Sequence, residues 1–73
     1  MKTHYKYIYF RKGEDKPKTS VWYCHSKSSN ASLGVVQWYS FWRQYSFIPS
    51  RDTVFNNTCL DDINDFIGQL AKL

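Results

Sequence analysis

The sequence predicts an α+β fold: an antiparallel sheet of three to four strands with one C-terminal helix packed on one face. Three observations predict it. Aromatic and β-branched residues alternate with polar ones in four short segments, which is the period of a strand. Polar turns separate those segments. One amphipathic run at helical spacing closes the chain. With 73 residues, the chain makes a single small domain, 1–73. Chains this short bury only about 60–65% of their unfolded surface and need help to be stable. Here the help is aromatic, since each buried ring removes roughly 150–250 Å² from water. A homodimer is also compatible with so small a core.

The first predicted strand covers residues 4–12, HYKYIYFRK, with Tyr5, Tyr7 and Tyr9 on one face. A polar turn, GEDKPKT, follows. The second strand covers residues 20–26, with Val21, Tyr23 and His25 opposite Trp22 and Cys24. A loop of small polar residues leads to a third strand at 33–39, where Val36 and Trp38 share one face and Val35, Gln37 and Tyr39 the other. Gly34 near its start suits a bulge or a close backbone approach. After a short turn at 40–42, a fourth strand at 43–48 sets Arg43, Tyr45 and Phe47 opposite Gln44, Ser46 and Ile48. Pro49 ends it by removing a ladder donor. In the connection that follows, Val54 and Phe55 are expected to enter the core.

The helix is predicted over residues 58–70. Thr58 serves as its N-cap, with Asp61 three residues on. Asp61, Asp62 and Asp65 then occupy the early turns, where the helix dipole favours negative charge. Cys59 or Leu60, Ile63, Phe66, Ile67 and Leu70 form the apolar stripe. Gly68 weakens the helix by roughly 1 kcal/mol relative to alanine and suits close packing on the sheet.

Net charge is +4, unevenly spread. Lysines and arginines dominate through Arg51, whereas Asp52, Asp61, Asp62 and Asp65 then face only Lys72. A basic sheet favours nucleic acid or an acidic protein surface; a merely solvated exterior is the structural alternative. Cys24 and Cys59 read as small buried apolar residues. No signal segment and no apolar run of membrane-spanning length is visible, so the expected location is cytoplasmic, with no membrane partner. Cys24, His25, Cys59 and His4 lack the paired spacing of a zinc site, so neither a metal nor a cofactor is expected. No nucleophile–base pair stands out either, so the chain reads as non-enzymatic.

One helix cannot cover both sides of a sheet carrying this many rings. The surplus is expected to be a binding face. Rings interspersed with Lys and Arg suit single-stranded nucleic acid, whose bases stack while cations meet phosphates. The same residue types dominate protein–protein hot spots. Tyr7, Arg11, Trp42, Arg43 and Tyr45 are the candidate contacts. Arg43 has a structural alternative, as a brace stacked on Trp42 or Tyr45 that fixes the turn.

Residues Leu33-Gly34, Trp38-Tyr39, Trp42-Arg43-Gln44-Tyr45, Phe47 and Pro49, followed by Thr53-Val54-Phe55-Asn56, Cys59-Leu60, Asp62-Ile63 and Phe66-Ile67, spell LGxVxWYxxWRQYxFxP…TVFNxxCLxDIxxFI. This resembles a family of short, uncharacterised bacteriophage and prophage proteins. The match covers about half the chain, from Leu33 onward. The resemblance implies a mobile-element setting, where small non-enzymatic proteins block host defence systems such as CRISPR nucleases or restriction enzymes. The expected function is thus an anti-defence inhibitor, in the bacterial cytoplasm, that binds a host defence protein or nucleoprotein complex stoichiometrically. A single-stranded DNA or RNA binder and a sponge for signalling nucleotides are the alternatives.

Overall fold

A computed structural model describes residues 1–73. Four antiparallel strands form one open sheet, β1 (Ile8–Asp15), β2 (Ser20–Ser26), β3 (Ser32–Tyr39) and β4 (Gln44–Pro49), in the spatial order β1-β2-β3-β4. The C-terminal helix α1 (Asn57–Ala71) covers one face. The fold is α+β.

Register decides which side chains meet the helix. Phe10 lies opposite Cys24, and Trp22 opposite Val36, which in turn lies opposite Phe47. This row meets Cys59, Ile63, Phe66 and Leu70 of α1. The Phe10 and Phe66 rings stack in parallel with centroids 3.9 Å apart, and Trp22 meets Phe66 edge-on. Gly34 lies where β4 comes closest. A Cβ there would stand 2.5 Å from Phe47 Cζ and 2.6 Å from the Ile48 carbonyl oxygen, with φ at 158°.

The first predicted strand is corrected. β1 begins at Ile8, because the chain before it folds back along the outer edge of β1. The Phe10 N–H donates to the Thr3 carbonyl at 2.8 Å, and the Tyr5 N–H to the Ile8 carbonyl at 2.9 Å. Tyr5, Tyr7 and Tyr9 therefore do not share a face. Tyr5 is buried in the core, Tyr7 is exposed, and Tyr9 stacks on His25 on the sheet's open side. Tertiary partners overrode the alternation. The Tyr5 hydroxyl donates to Asp65 Oδ2 at 2.8 Å and accepts from Gln69 Nε2 at 2.9 Å. Gln69 also exchanges a reciprocal pair of hydrogen bonds with the Lys2 backbone. The folded-back segment shields part of an edge that would otherwise invite pairing with another chain.

The start of the helix also moves. Asn56 is the N-cap, its side chain accepting from the Cys59 N–H at 2.8 Å, and Thr58 lies inside the first turn. The helix begins earlier than predicted, so Asp61, Asp62 and Asp65 fall beyond the first turn, to which the dipole effect is confined. Asp65 instead receives Tyr5. Leu60 is 52% exposed and leaves the stripe to Cys59. Val54, at 89% exposure, stays outside the core, whereas Phe55 packs edge-on against Phe47. Gly68 serves no close packing, since nothing lies within 4 Å of the place its Cβ would take. No helix is long and apolar enough to cross a membrane.

Candidate functional site

In an up-and-down meander alternate turns share one end of the sheet. Here the β1–β2 turn and the β3–β4 turn meet at the end where α1 finishes. The β3–β4 turn closes with the Arg43 N–H donating to the Tyr39 carbonyl at 2.9 Å, which puts Arg43 in the left-handed region at φ 55°. A non-glycine residue there costs about 1–2 kcal/mol. The fourth strand accordingly starts at Gln44, with Arg43 in the turn. The guanidinium forms no ion pair and no cation–π contact, so backbone bonds hold the turn and the brace role for Arg43 does not apply.

The turn carries its rings outward. Phe41 is 85% and Trp42 68% exposed, and both lean on Tyr39, whose ring centroid lies 5.6 Å and 5.0 Å from theirs. Hydrophobic burial does not explain these positions, because neither α1 nor the chain ends reach them. The uncovered aromatic surface is therefore concentrated at this end of the sheet. The open face away from α1 holds its rings more closely: Tyr9 stacks on His25, and Arg11 lies 4.9 Å over Tyr23.

On the helix side of the same end, α1 leaves a gap. Its second half is drawn toward β1 and the N-terminal segment by Phe10, Tyr5 and Lys2. Trp38 of β3 is left exposed beside it, and the half-buried Tyr45 of β4 meets it edge-to-face with centroids 5.5 Å apart. Tyr45 reaches across β3, and its hydroxyl accepts from the Ser20 N–H at 3.2 Å. These two rings floor a cleft of about 830 Å³. Leu70 and Leu73 form one wall; Lys16, Lys18 and Arg43 border the rest, and no acidic residue lines it. The two ion pairs in the protein, Lys12–Asp15 and Arg51–Asp52, involve none of these three cations.

The five candidate contacts thus divide. Trp42, Arg43 and Tyr45 gather at this end. Arg11 lies on the open face. Tyr7 lies at the opposite end, in a smaller hollow of about 420 Å³ with Lys6, Lys27 and the start of α1. Sequence reasoning missed Lys16 and Lys18, read as part of a polar turn, and Trp38, read as a strand and motif residue but not named as a contact. The signal was available: a meander places 16–19 and 40–43 side by side.

The thiols are poor candidates for chemistry. Both are free and buried. Burial, with a smaller contribution from neighbouring Cys59, pushes the Cys24 thiol up to about 12. It stays protonated at neutral pH, and the thiol is a weak nucleophile. Burial, reinforced by Asp65, likewise raises the Tyr5 phenol well above its usual range. No three His, Cys, Asp or Glu side chains converge as they would around a metal ion. No family model, curated protein or solved structure matches the chain.

Proposed function

We propose that this protein is a non-enzymatic, phage-type accessory protein that inhibits a host defence nucleoprotein by stoichiometric binding, with the β3–β4 hairpin end as its contact surface. One observation carries the reading. Phe41 and Trp42 stand almost free of the rest of the fold, beside the exposed Trp38 and Tyr39. A contiguous apolar patch of this kind on a small protein marks an interaction site. Trp and Tyr with a neighbouring Arg are the anchors that dominate protein–protein binding energy. Lys16, Lys18 and Arg43 beside the rings suit a partner surface that is acidic or carries nucleic acid, and they steer its approach. The anti-defence setting is supported by the resemblance to phage and prophage proteins.

The test is expression in bacteria carrying a CRISPR or restriction system and challenged with a targeted phage. The native chain is expected to restore plaque formation. A Phe41→Ala/Trp42→Ala variant, shown by circular dichroism to be folded, is expected not to. Restoration by both proteins alike would remove the hairpin end from the mechanism. No restoration against any system, with the native protein well expressed, would overturn the anti-defence reading.

A further inference from the structure

The cleft on the helix side differs in chemistry from the hairpin tip. The tip offers outward-pointing apolar rings; the cleft offers an open aromatic floor bordered on one side by positive charge. From this juxtaposition we infer that the cleft is a binding site for a phosphorylated aromatic base, either a free nucleotide or one unit of a single strand. This goes beyond protein binding, since it needs Trp38, Tyr45, Lys16, Lys18 and Arg43 but neither Phe41 nor Trp42.

The argument starts from the rings. Trp38 and Tyr45 meet edge-to-face, so their contact covers at most one flat side of one ring. Trp38 is also exposed, which leaves it free to stack a base. The apolar side chains of Leu70 and Leu73 line the cleft beside them and offer an inserted ring apolar contact on one side. Polar groups stand ready for a base edge. The Tyr45 hydroxyl accepts from Ser20 and still has its own proton to donate. Gln44, the neighbour of Tyr45 in β4, also borders the cleft.

Charge then selects the ligand. Three cations border one cleft with no carboxylate side chain among the lining residues and no ion pair to neutralise them. Their fields add in the cleft and favour an anion. The end of α1 opposes this locally, because helix C-terminal carbonyls carry partial negative charge. Two of them, Gln69 and Leu70, already accept from the Lys72 and Leu73 N–H groups at 3.2 Å. The phosphate therefore belongs on the Lys16–Lys18–Arg43 side and the base beside the leucines. Arg43 strengthens the assignment independently. Glycine would adopt its left-handed backbone with less strain, so an arginine held there is a cost with no structural return. Its planar guanidinium matches a phosphate bidentately. The cleft is also within the size range of small-molecule sites, roughly 300–1,000 Å³.

The experiment uses the full chain labelled with ¹⁵N, titrated separately with adenosine 5′-monophosphate, uridine 5′-monophosphate, inorganic phosphate and a short oligothymidylate. The expected result is that a nucleotide or the oligonucleotide shifts the Trp38 indole and Gln44 amide signals. Inorganic phosphate should bind more weakly. Affinity should fall as salt rises from about 50 to about 200 mM. Trp38→Leu should weaken binding about 5- to 150-fold, the range for losing one stacked base. Lys16→Ala/Lys18→Ala, which removes only exposed side chains and leaves the core intact, should also weaken it. Tighter binding of the mononucleotides identifies a free nucleotide as the ligand; tighter binding of the oligothymidylate identifies a strand. The inference is overturned if none of the nucleic-acid probes shifts these signals at millimolar concentration. It is also overturned if phosphate alone reproduces the full response, or if the lysine variant binds as well as the native chain. A silent titration alongside plaque restoration that still depends on Phe41 and Trp42 would remove this inference and leave the proposed function standing.

Discussion

Replacing Gly68 with alanine adds one methyl group to α1 at a point where no heavy atom outside the helix lies within 4 Å. Nothing has to move to admit it. The residue is well inside a helix that runs to Ala71, so the native backbone already suits alanine. The gain comes mainly from the unfolded chain, in which glycine has more freedom to lose. Helix propensity places the difference at about 1 kcal/mol in a helix interior. Position 68 is close to the last turn, where fraying reduces the effect, so about 0.5–1 kcal/mol is expected. For a domain of this size each kcal/mol moves the midpoint by roughly 4–8 °C, so the melting temperature should rise by about 2–8 °C. The measurement is a thermal melt followed by far-ultraviolet circular dichroism, with a urea titration at fixed temperature. The urea midpoint should rise while its slope stays constant, because the surface exposed on unfolding is unchanged. A fall in melting temperature would refute the reasoning, since it would mean that the hydrogen side of Gly68 faces something packed against it.

The same substitution at Gly34 should have the opposite sign. Its Cβ would meet the Ile48 carbonyl at 2.6 Å, and the backbone of a paired strand cannot swing aside, so a loss of about 1–3 kcal/mol is expected in the same urea titration. Asn56→Ala should cost about 1 kcal/mol through the lost N-cap, whereas Thr58→Ala should stay within about 0.5 kcal/mol; equal losses in chemical denaturation would contradict the cap assignment. Raised pKa values also make stability depend on pH. Below pH about 9 the Cys24 thiol is protonated in both folded and unfolded states and contributes no pH dependence. Above that the unfolded chain loses the proton first, so this contribution to stability should fall until pH reaches the folded value of about 12. Cys24→Ala should reduce that alkaline slope in denaturation curves compared across pH; an identical slope in both proteins would show that Cys24 does not cause it.

The sequence by itself determined what short-range physics controls. Alternation located the strand cores, and helical spacing of Ile63, Phe66 and Leu70 located the buried face of α1. Even the close approach at Gly34 was legible, because a glycine inside an alternating segment has few other uses. Only the tertiary structure decided where the elements end and which rings stay uncovered. Tyr5 left the strand because Asp65 and Gln69, some sixty residues away in the chain, satisfy its hydroxyl. Neither partner is visible to a period-two pattern. The site shows the same division. An excess of rings over what one helix can cover follows from composition, but their location does not. Tyr7 and Arg11 carry the same residue chemistry as Tyr45 and Arg43 and end up elsewhere. Assembling Trp38, Tyr45, Arg43, Lys16 and Lys18 required the strands to pair in chain order and the second half of α1 to turn toward β1, and both depend on contacts between residues far apart in sequence.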